Sequence, residues 1–449
     1  PHKQNGKLNL YMQVDKTTLN DLSIFNREEE QSVFHHLNFT TSSGGRDWLH
    51  HLLAHPYSDL NKIQETQQTL QLIINNQQKW PTLITNGTVM VVQKFYDTPV
   101  GDIPDHPNAL NSLYYKIVNS QDYSLVKYSV THFVDFTIGL HQILNVFKGL
   151  SVPKLLQVIL ERIKMLTDRP LVKTMMHWNK SKRLSAINIL TFGKYLRQRF
   201  KAEALELVDI YSHLDAYYGM AMACTKYDFT FPEIQKADTP YIDAKNVYHL
   251  LVPQPVAYDV KLNRQTNFLF LTGANMAGKS TFIKAVGIAV YLAHVGMGVP
   301  AEKCELSLFD GLLSNIQVED NISRGESYFF NEVQRIKKTI EKINDGRNWL
   351  ILIDELFKGT NVQDAMKCST AVIEGLRKMK NALFILSTHL YEIGEELKQY
   401  PNIRFNFFET HVQDGQLVFS YQLKDGISND RLGYLILKRE GVVKMLEEL

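Results

Sequence analysis

The sequence predicts a helical region followed by an α/β region with a parallel sheet. Residues 108–230 are poor in Pro and Gly and include long helical stretches at 155–166 and 186–222. After residue 267, short apolar runs typical of buried parallel strands alternate with helical patterns. The runs are 268–272, 349–353 and 382–387. We therefore expect a helical domain over 1–235 and an α/β domain over 236–449.

Two further stretches have local signals for irregular or hairpin structure. Residues 228–255 are punctuated by Pro232, Pro240, Pro253 and Pro255, a pattern that predicts a linker between domains. Near the C-terminus, two apolar segments flank Asp414-Gly415, which is typical of a β-hairpin.

The composition is that of an ordinary globular protein. The chain has 449 residues, 44% of them hydrophobic and 21% charged, and a formal net charge of +2. Its whole-molecule charge therefore gives no indication of a nucleic-acid partner. The three cysteines lack metal-binding spacing, and the longest apolar stretches are interrupted by charged residues and His. We expect a cytoplasmic protein without membrane spans.

A glycine-rich loop lies between the first predicted strand and a predicted helix over 282–291. Its pattern G-x-x-x-x-G-K-S, in this strand–loop–helix context, is typical of a phosphate-binding P-loop. Backbone N–H groups and the helix N-terminus would hold the phosphates of ATP, Lys279 would reach the β- and γ-phosphates, and Ser280 would ligate Mg²⁺. The candidate nucleotide-binding residues are Gly273, Asn275, Met276, Ala277, Gly278, Lys279, Ser280 and Thr281.

Acidic residues and a histidine follow the two later apolar runs. Asp354 ends one run, where a second Mg²⁺ ligand is expected, and Glu355 is placed to act as the general base on water. The alternative is a strand that ends in surface acids. His389 follows the last run and is a candidate contact of the γ-phosphate or the attacking water, although an isolated His is often structural.

Taken together, these motifs resemble the MutS family of DNA mismatch-repair ATPases. Residues 272–281 read T-G-A-N-M-A-G-K-S-T, with Ala274 where the family usually has Pro. Residues 354–364 resemble its D-E-x-x-[RK]-G-T-x-x-x-D motif, and 387–389 its S/A-T-H motif. Residues 325–329 resemble its signature segment, so the resemblance implies that Ser327 acts on the nucleotide of a partner subunit. Without the resemblance, Ser327 would be a helix N-cap.

The resemblance extends over most of the chain. Residues 12–22, 32–45 and 215–233 are similar to the family's core domain and to the return of its lever. The implied fold is an α-helical core and lever region followed by an α/β P-loop (ABC-type) ATPase domain with a C-terminal dimerisation segment. The family's mismatch-binding and connector domains find no counterpart in the sequence, and its clamp is reduced or absent. Tyr258 is the aromatic residue nearest to the family's adenine-contact position.

A basic stretch over residues 162–201 is the candidate DNA contact. Three of its residues, Lys194, Arg197 and Lys201, share one helix face that could contact DNA phosphates. The alternative is a helix face that is only solvated. The candidate DNA-binding residues are Lys180, Arg183, Lys194, Arg197 and Lys201.

The function that combines these predictions is a homodimeric DNA-binding ATPase. It would hydrolyse ATP with Mg²⁺ to close its levers on duplex or branched DNA, in mismatch repair or structure-specific DNA processing. The alternative is an ABC-type ATPase that acts on a protein partner without binding DNA. A P-loop kinase is disfavoured, because Glu355 beside Asp354 suits attack by water.

Overall fold

A computed structural model describes residues 10–177, 184–316, 328–413, 416–428 and 441–447. The first half is helical and an α/β region follows it, as predicted. The chain divides into two compact units. The helical unit comprises residues 37–54 and 65–225, and the α/β unit comprises residues up to 36, 55–64 and those from 226 onward. In the described residues, no helix is long and apolar enough to cross a bilayer.

This division differs from the single boundary predicted between residues 235 and 236. The N-terminal residues belong to the α/β unit because strand β1 (Gln13–Val14) pairs in parallel with β7 (Gly311–Asn315), with Gln13 opposite Gly311. Helix α1 (Lys16–Asp21) follows, and its last residue, Asp21, accepts a hydrogen bond from Ile316 N–H at 2.9 Å. Long-range strand pairing of this kind leaves no signal in local sequence.

Most of the helices lie in the first half of the chain. After α1 they are α2 (Val33–Leu37), α3 (Ser43–Ala54), α4 (Leu60–Asn76), α5 (Asn86–Asp97), α6 (Ala109–Val118), α7 (Ser120–Val146), α8 (Lys154–Thr167), α9 (Pro170–Met176), α10 (Ala186–Arg199) and α11 (Lys201–Lys226). The predicted continuous helix over 186–222 is interrupted at Phe200, whose φ of −125° is not helical. Phe200 is buried and its ring stacks on Tyr195, which accounts for the break.

A buried carboxylate fixes the start of α3 against α11. Asp215 accepts hydrogen bonds from the backbone N–H groups of Thr41 at 3.0 Å and Ser42 at 2.8 Å, and from both of their hydroxyls. A Cβ atom at Gly45 would lie 2.1 Å from an Asp215 oxygen, so only glycine fits there. A buried carboxylate is costly unless such donors surround it, and here four donors do.

The α/β unit contains the strands and the remaining helices. They are β2 (Glu233–Gln235), β3 (Ile242–Val247), β4 (Tyr258–Leu262), β5 (Phe268–Thr272), α12 (Lys279–Val295), β6 (Lys303–Ser307), β7, α13 (Tyr328–Ile343), β8 (Trp349–Asp354), α14 (Val362–Leu376), β9 (Ala382–Ser387), α15 (Glu392–Leu397), β10 (Ile403–Gln413), β11 (Gln416–Asp425) and α16 (Val442–Glu447). A seven-stranded sheet has the order β1-β7-β8-β9-β5-β10-β11, and a four-stranded sheet has the order β2-β6-β3-β4.

The predicted strands appear in the larger sheet. Strands β5 and β9 have the predicted bounds, β8 extends one residue further to Asp354, and β10 and β11 pair antiparallel as the predicted hairpin. The predicted turn residues Asp414 and Gly415 lie outside the described residues. The linker predicted over 228–255 is wrong, because β2 and β3 lie within it and pair with β6. The prolines there fall outside these two strands.

Apolar side chains on both faces of the central strands form the core of the α/β unit. Phe268, Phe270, Trp349 and Phe384 are fully buried. A Cβ atom at Gly311 would lie 2.0 Å from the Trp349 ring, so glycine makes room for the indole on the neighbouring strand. The apolar strands β8, β9 and β5 pair side by side in parallel, and their carboxyl ends therefore lie at the same edge of the sheet.

Candidate functional site

The predicted site residues meet at the carboxyl ends of β8, β9 and β5. These three strands are adjacent and parallel, and Asp354, Ser387 and Leu271 occupy one level across them. The glycine-rich loop, residues 273–281, follows β5 directly. In open α/β sheets, ligands bind in the crevice at this end of the strands.

The glycine-rich loop has a left-handed backbone at three positions. Gly273, Met276 and Gly278 have φ values of 138°, 70° and 112°. A Cβ atom at Gly273 would lie 3.2 Å from the carbonyl oxygen of Phe408, and at this φ any larger residue would be strained. Asn275 and Met276 are exposed and Ala277 is buried. The conformation supplies the turn that a phosphate-binding loop requires.

Lys279 is the first residue of α12, and its ammonium lies under the loop. Its Nζ donates to the carbonyl oxygens of Gly273 at 2.7 Å and Ala274 at 3.0 Å. Burial lowers the pKa of Lys279, and the carboxylates of Glu355 and Asp354 oppose this shift. The cation therefore lies between the loop and the two predicted carboxylates, while Thr281 continues the first turn of α12 half-buried.

Asp354 is held by two hydroxyls from neighbouring elements. Ser280 Oγ donates to one of its carboxylate oxygens and Ser387 Oγ to the other. The two oxygen donors predicted for Mg²⁺, Ser280 and Asp354, are therefore in direct contact, and hard oxygen ligands suit that ion. Among the described residues, no cluster of three or more His, Cys, Asp or Glu could hold a metal by itself. The residues fit an ion that shares its remaining ligands with phosphates and water.

Glu355 faces two basic side chains. The Nδ1 of His389 lies 3.5 Å from Oε1, and the Nζ of Lys358 lies 3.2 Å from Oε2. Hydrogen bonding from His389, followed by the charge of Lys358, lowers the pKa of Glu355 to about 2 although burial opposes the shift. A carboxylate with this pKa is a weak proton acceptor at neutral pH. It is nevertheless a strong hydrogen-bond acceptor that can orient a water molecule.

The aromatic residues near the loop occupy different positions from those expected. Tyr258 is buried, with its ring edge-on to Phe282 and Phe408 at centroid distances of 5.4 and 5.6 Å, so it belongs to the core. Tyr421 of β11 is exposed, and a Cβ atom at Gly278 would lie 3.4 Å from its ring. The sequence did not single out Tyr421, because a strand irregularity near Phe408 brings it beside the loop and its φ is 52°.

Three of the predicted site residues lie outside the part of the chain that the structure describes. They are Ser327, Lys180 and Arg183. Helix α13 begins at Tyr328, the residue that follows Ser327 in the sequence.

The basic residues of α10 and the start of α11 make contacts within the helical unit. The ammonium of Lys194 pairs with Asp105 and donates to the carbonyl of Ile103 at 2.8 Å. The guanidinium of Arg197 donates to the carbonyls of Phe95 at 2.6 Å and Thr98 at 2.7 Å.

Lys201 differs from these two residues. It is exposed, and its Nζ lies 5.8 Å from the centre of the Tyr96 ring. Lys194 and Arg197 therefore anchor the end of α5 and the segment after it, whereas Lys201 remains accessible to solvent.

Comparison with known proteins identifies the C-terminal part of the chain. Residues 269–446 match the family model of MutS domain V. The DNA mismatch repair protein MutS of Pseudothermotoga lettingae is 30% identical over 231 residues, which are 51% of this chain and 28% of that protein. The DNA mismatch repair protein MutS of Staphylococcus haemolyticus is 29% identical over 235 residues, 51% of this chain and 26% of that protein. The MutS protein homolog 4 of Homo sapiens is 31% identical over 237 residues, 50% of this chain and 25% of that protein.

The similarity covers about half of this chain and between 25% and 28% of the length of these relatives. The family match over residues 269–446 includes the region where the glycine-rich loop, Asp354, Glu355 and His389 meet. Residues 269–446 of this chain are therefore a MutS domain V, and over about half of its length the chain is similar to MutS proteins.

Proposed function

We propose that the α/β unit is a P-loop ATPase domain of the ABC type that binds ATP with Mg²⁺ and hydrolyses it. The observation that carries this proposal is the arrangement at the strand ends. The glycine-rich loop, the oxygen pair of Ser280 and Asp354, and the carboxylate of Glu355 lie around the Lys279 ammonium. This arrangement supplies cations and backbone N–H groups for phosphates, and an acceptor for the attacking water.

The chain's own residues would act by positioning and charge. Lys279 would leave the loop carbonyls for the β- and γ-phosphate oxygens, and Ser280 and Asp354 would hold the metal ion, whose chemistry is to neutralise phosphate charge. Glu355 would accept a hydrogen bond from the water and receive its proton as the water oxygen bonds to the γ-phosphorus. The bond from that phosphorus to the β–γ bridging oxygen would break at the same time, with ADP as the leaving group. His389, beside Glu355 and exposed, is placed to contact the same water or the γ-phosphate. Tyr421 offers an exposed ring beside the loop, where a base could stack.

The test is ATP hydrolysis by the purified chain with Mg²⁺, compared with Lys279→Ala. We expect the variant to lose ATP binding, because it removes the ammonium that lies under the loop. Lys261→Ala is the matched control, since Lys261 is exposed on β4 and pairs with Asp243 at the surface. An unchanged hydrolysis rate in Lys279→Ala would contradict the proposed site.

We propose further that two chains pair so that Ser327 of one completes the nucleotide site of the other. Support comes from the resemblance of residues 325–329 to the family's signature segment, whose last two residues belong to α13. Ser327→Arg and Lys279→Ala should each be inactive alone. A mixture should recover part of the activity, because one composite site in the heterodimer keeps both residues. No recovery in demonstrably mixed dimers would indicate a site built within one chain.

The proposed target of this ATPase is DNA, in mismatch repair or structure-specific processing. Two of the relatives are named DNA mismatch repair proteins, and this name supports the proposal. The basic stretch contributes less than expected, because Lys194 and Arg197 are engaged within the helical unit. The test is stimulation of hydrolysis by homoduplex, mismatched and branched DNA. Stimulation by any of these substrates supports the proposal, and its absence with active enzyme contradicts it.

A second candidate is an ATPase that acts on a protein partner without binding DNA. The observation that favours it is a stripe of apolar side chains on α6. Leu110, Leu113, Tyr114 and Ile117 recur at helical spacing on one face and are 54–83% exposed. Exposed apolar stripes of this kind are typical of helix-docking surfaces. If DNA does not stimulate hydrolysis, a partner that protects α6 from amide exchange would support this second function.

A further inference from the structure

Helix α13 carries a carboxylate on its buried face. Glu332 is only 3% exposed and lies on the same side of the helix as the buried Ile336 and Ile343. Burial raises the pKa of Glu332, whereas hydrogen bonds from backbone N–H groups oppose the shift. A buried carboxylate destabilises a fold unless donors compensate it, so these donors explain how a charge is tolerated there.

The donors come from the loop that follows Glu355. The backbone N–H of Lys358 lies 3.2 Å from one Glu332 oxygen, and that of Gly359 lies 3.3 Å from the other. Consecutive N–H groups that converge on one anion form a nest. Next to it, Phe357 has a φ of 59° and its buried ring contacts Phe329 of α13 at a centroid distance of 5.7 Å. Helix α13 therefore contacts this loop through the Glu332 carboxylate and through the ring of Phe329.

The same loop controls the surroundings of Glu355. The backbone N–H of Lys358 is hydrogen-bonded to Glu332, while the Nζ of Lys358 lies 3.2 Å from a carboxylate oxygen of Glu355. Glu355 itself has a φ of 63°, and its N–H is bonded to the carbonyl of Ser387 at 2.9 Å. A left-handed residue in a turn keeps its conformation only if the neighbouring chain is fixed.

We infer that Glu332 is a positioning residue that holds the loop over 356–359 in place. It thereby positions Lys358 and Glu355 for the attack of water on the γ-phosphate. This inference rests on the proposed ATPase function.

The test compares Glu332→Ala and Glu332→Gln with Glu341→Gln. Glu341 is the matched control, since it is an exposed residue of the same helix and pairs with Lys337 at 3.9 Å. The first readout is amide hydrogen exchange in the protein without nucleotide, followed in a peptide that spans residues 355–361. We expect exchange in this peptide to be about 10-fold faster or more in Glu332→Ala, intermediate in Glu332→Gln, and unchanged in the control.

The second readout separates hydrolysis from binding. We expect kcat for ATP to fall about 10-fold in Glu332→Ala, with the Kd for ATP within about 2-fold of wild type, since small displacements of a catalytic group cost rate. Glu332→Gln keeps an oxygen acceptor for the loop and should recover part of the rate.

Several outcomes would overturn the inference. Unchanged exchange in the 355–361 peptide of Glu332→Ala would show that the carboxylate does not fix the loop. Faster exchange throughout α13, together with lost ATP affinity in both variants, would show a general structural role. A wild-type protein that hydrolyses no ATP would refute the proposed function. The exchange result would still report whether Glu332 holds the loop.

Discussion

Charged residues follow a regular sequence pattern both around the glycine-rich loop and on the basic face of α10. In the structure, however, the two groups make different kinds of contact. Around the loop, Lys279, Asp354 and Glu355 come together at one sheet edge, as their motifs predict. On α10, Lys194 and Arg197 contact backbone carbonyls in the last turn of α5 and in the segment after it. A pattern that includes its structural context, strand then loop then helix, predicts where side chains point. Helical spacing alone predicts only that they share a face.

The largest expected effect tests the loop side of this comparison. Glu355→Gln should lower ATP hydrolysis about 10²-fold or more and leave ATP binding intact, because the amide cannot receive the proton of the water. The measurement is single-turnover hydrolysis together with nucleotide affinity. Glu395→Gln, an exposed substitution on α15, is the control. If Glu355→Gln hydrolysed ATP at nearly the wild-type rate, Glu355 would not be the general base. The motif would then have predicted where Glu355 lies but not what it does.

Acid should destabilise the α/β unit through His294. Its Nδ1 donates to the carbonyl of Tyr57 at 2.7 Å, and its Nε2 accepts from the N–H of Phe309 at 3.3 Å, so the ring must be neutral. Burial lowers its pKa from 6.5 to about 4. The folded state therefore gains stability from the neutral ring above pH 6.5, and this gain is lost as pH falls towards about 4, a change of about 3 kcal/mol.

Denaturant unfolding at pH 7.5 and 4.5 would measure this effect. His294→Gln cannot titrate, and its stability should depend less on pH by about 2–3 kcal/mol over that interval. His35→Gln is the control, because His35 is half-exposed on α2. Equal pH dependence in wild type and His294→Gln would assign the acid response to other groups. His213 is one such group, since burial lowers its pKa to about 4 in the helical unit.

A smaller effect tests the α10 side of the comparison. Arg197→Ala removes two charge-assisted hydrogen bonds, to Phe95 at 2.6 Å and Thr98 at 2.7 Å, and should destabilise the helical unit by about 1.5–3 kcal/mol. Arg199→Ala, its exposed neighbour, should change stability by less than about 0.5 kcal/mol. Equal unfolding midpoints for the two variants would show that the hydrogen bonds of Arg197 do not stabilise the helical unit. Arg197 would then count among the basic residues that are accessible to DNA.

The smallest expected effect concerns DNA affinity. Arg199 and Lys201 are exposed, so reversing their charge avoids the anchoring contacts of Lys194 and Arg197. If they bind phosphates, Arg199→Glu with Lys201→Glu should weaken binding to matched and mismatched duplex by a similar factor. The slope of log affinity against log salt should fall by about 0.9 for each phosphate that is no longer neutralised. Unchanged affinity and slope would show that this face does not bind DNA.

Features that depend on residues close together in the sequence could be predicted, whereas features that depend on contacts between distant residues could not. The central strands and the hairpin carry their own apolar patterns, so β5 and β9 have the predicted bounds. The strands within 228–255 were missed because β2 and β3 are short and depend on pairing with β6. Tyr421 was missed because a strand irregularity, which no motif encodes, turns it towards Gly278.

Sequence patterns were enough to predict a helical region followed by an α/β region, the glycine-rich loop, and the position of Lys279, Asp354 and Glu355 beside that loop. These are local properties, since the apolar period and the residues of a loop are written in consecutive positions. The tertiary structure decided which charges are used within the molecule. It showed that Arg197 binds distant carbonyls and that Glu332, a charge on a buried helix face, is compensated by the N–H groups of Lys358 and Gly359. The reason is physical: the cost of burying a charge depends on donors and acceptors that folding brings from elsewhere in the chain.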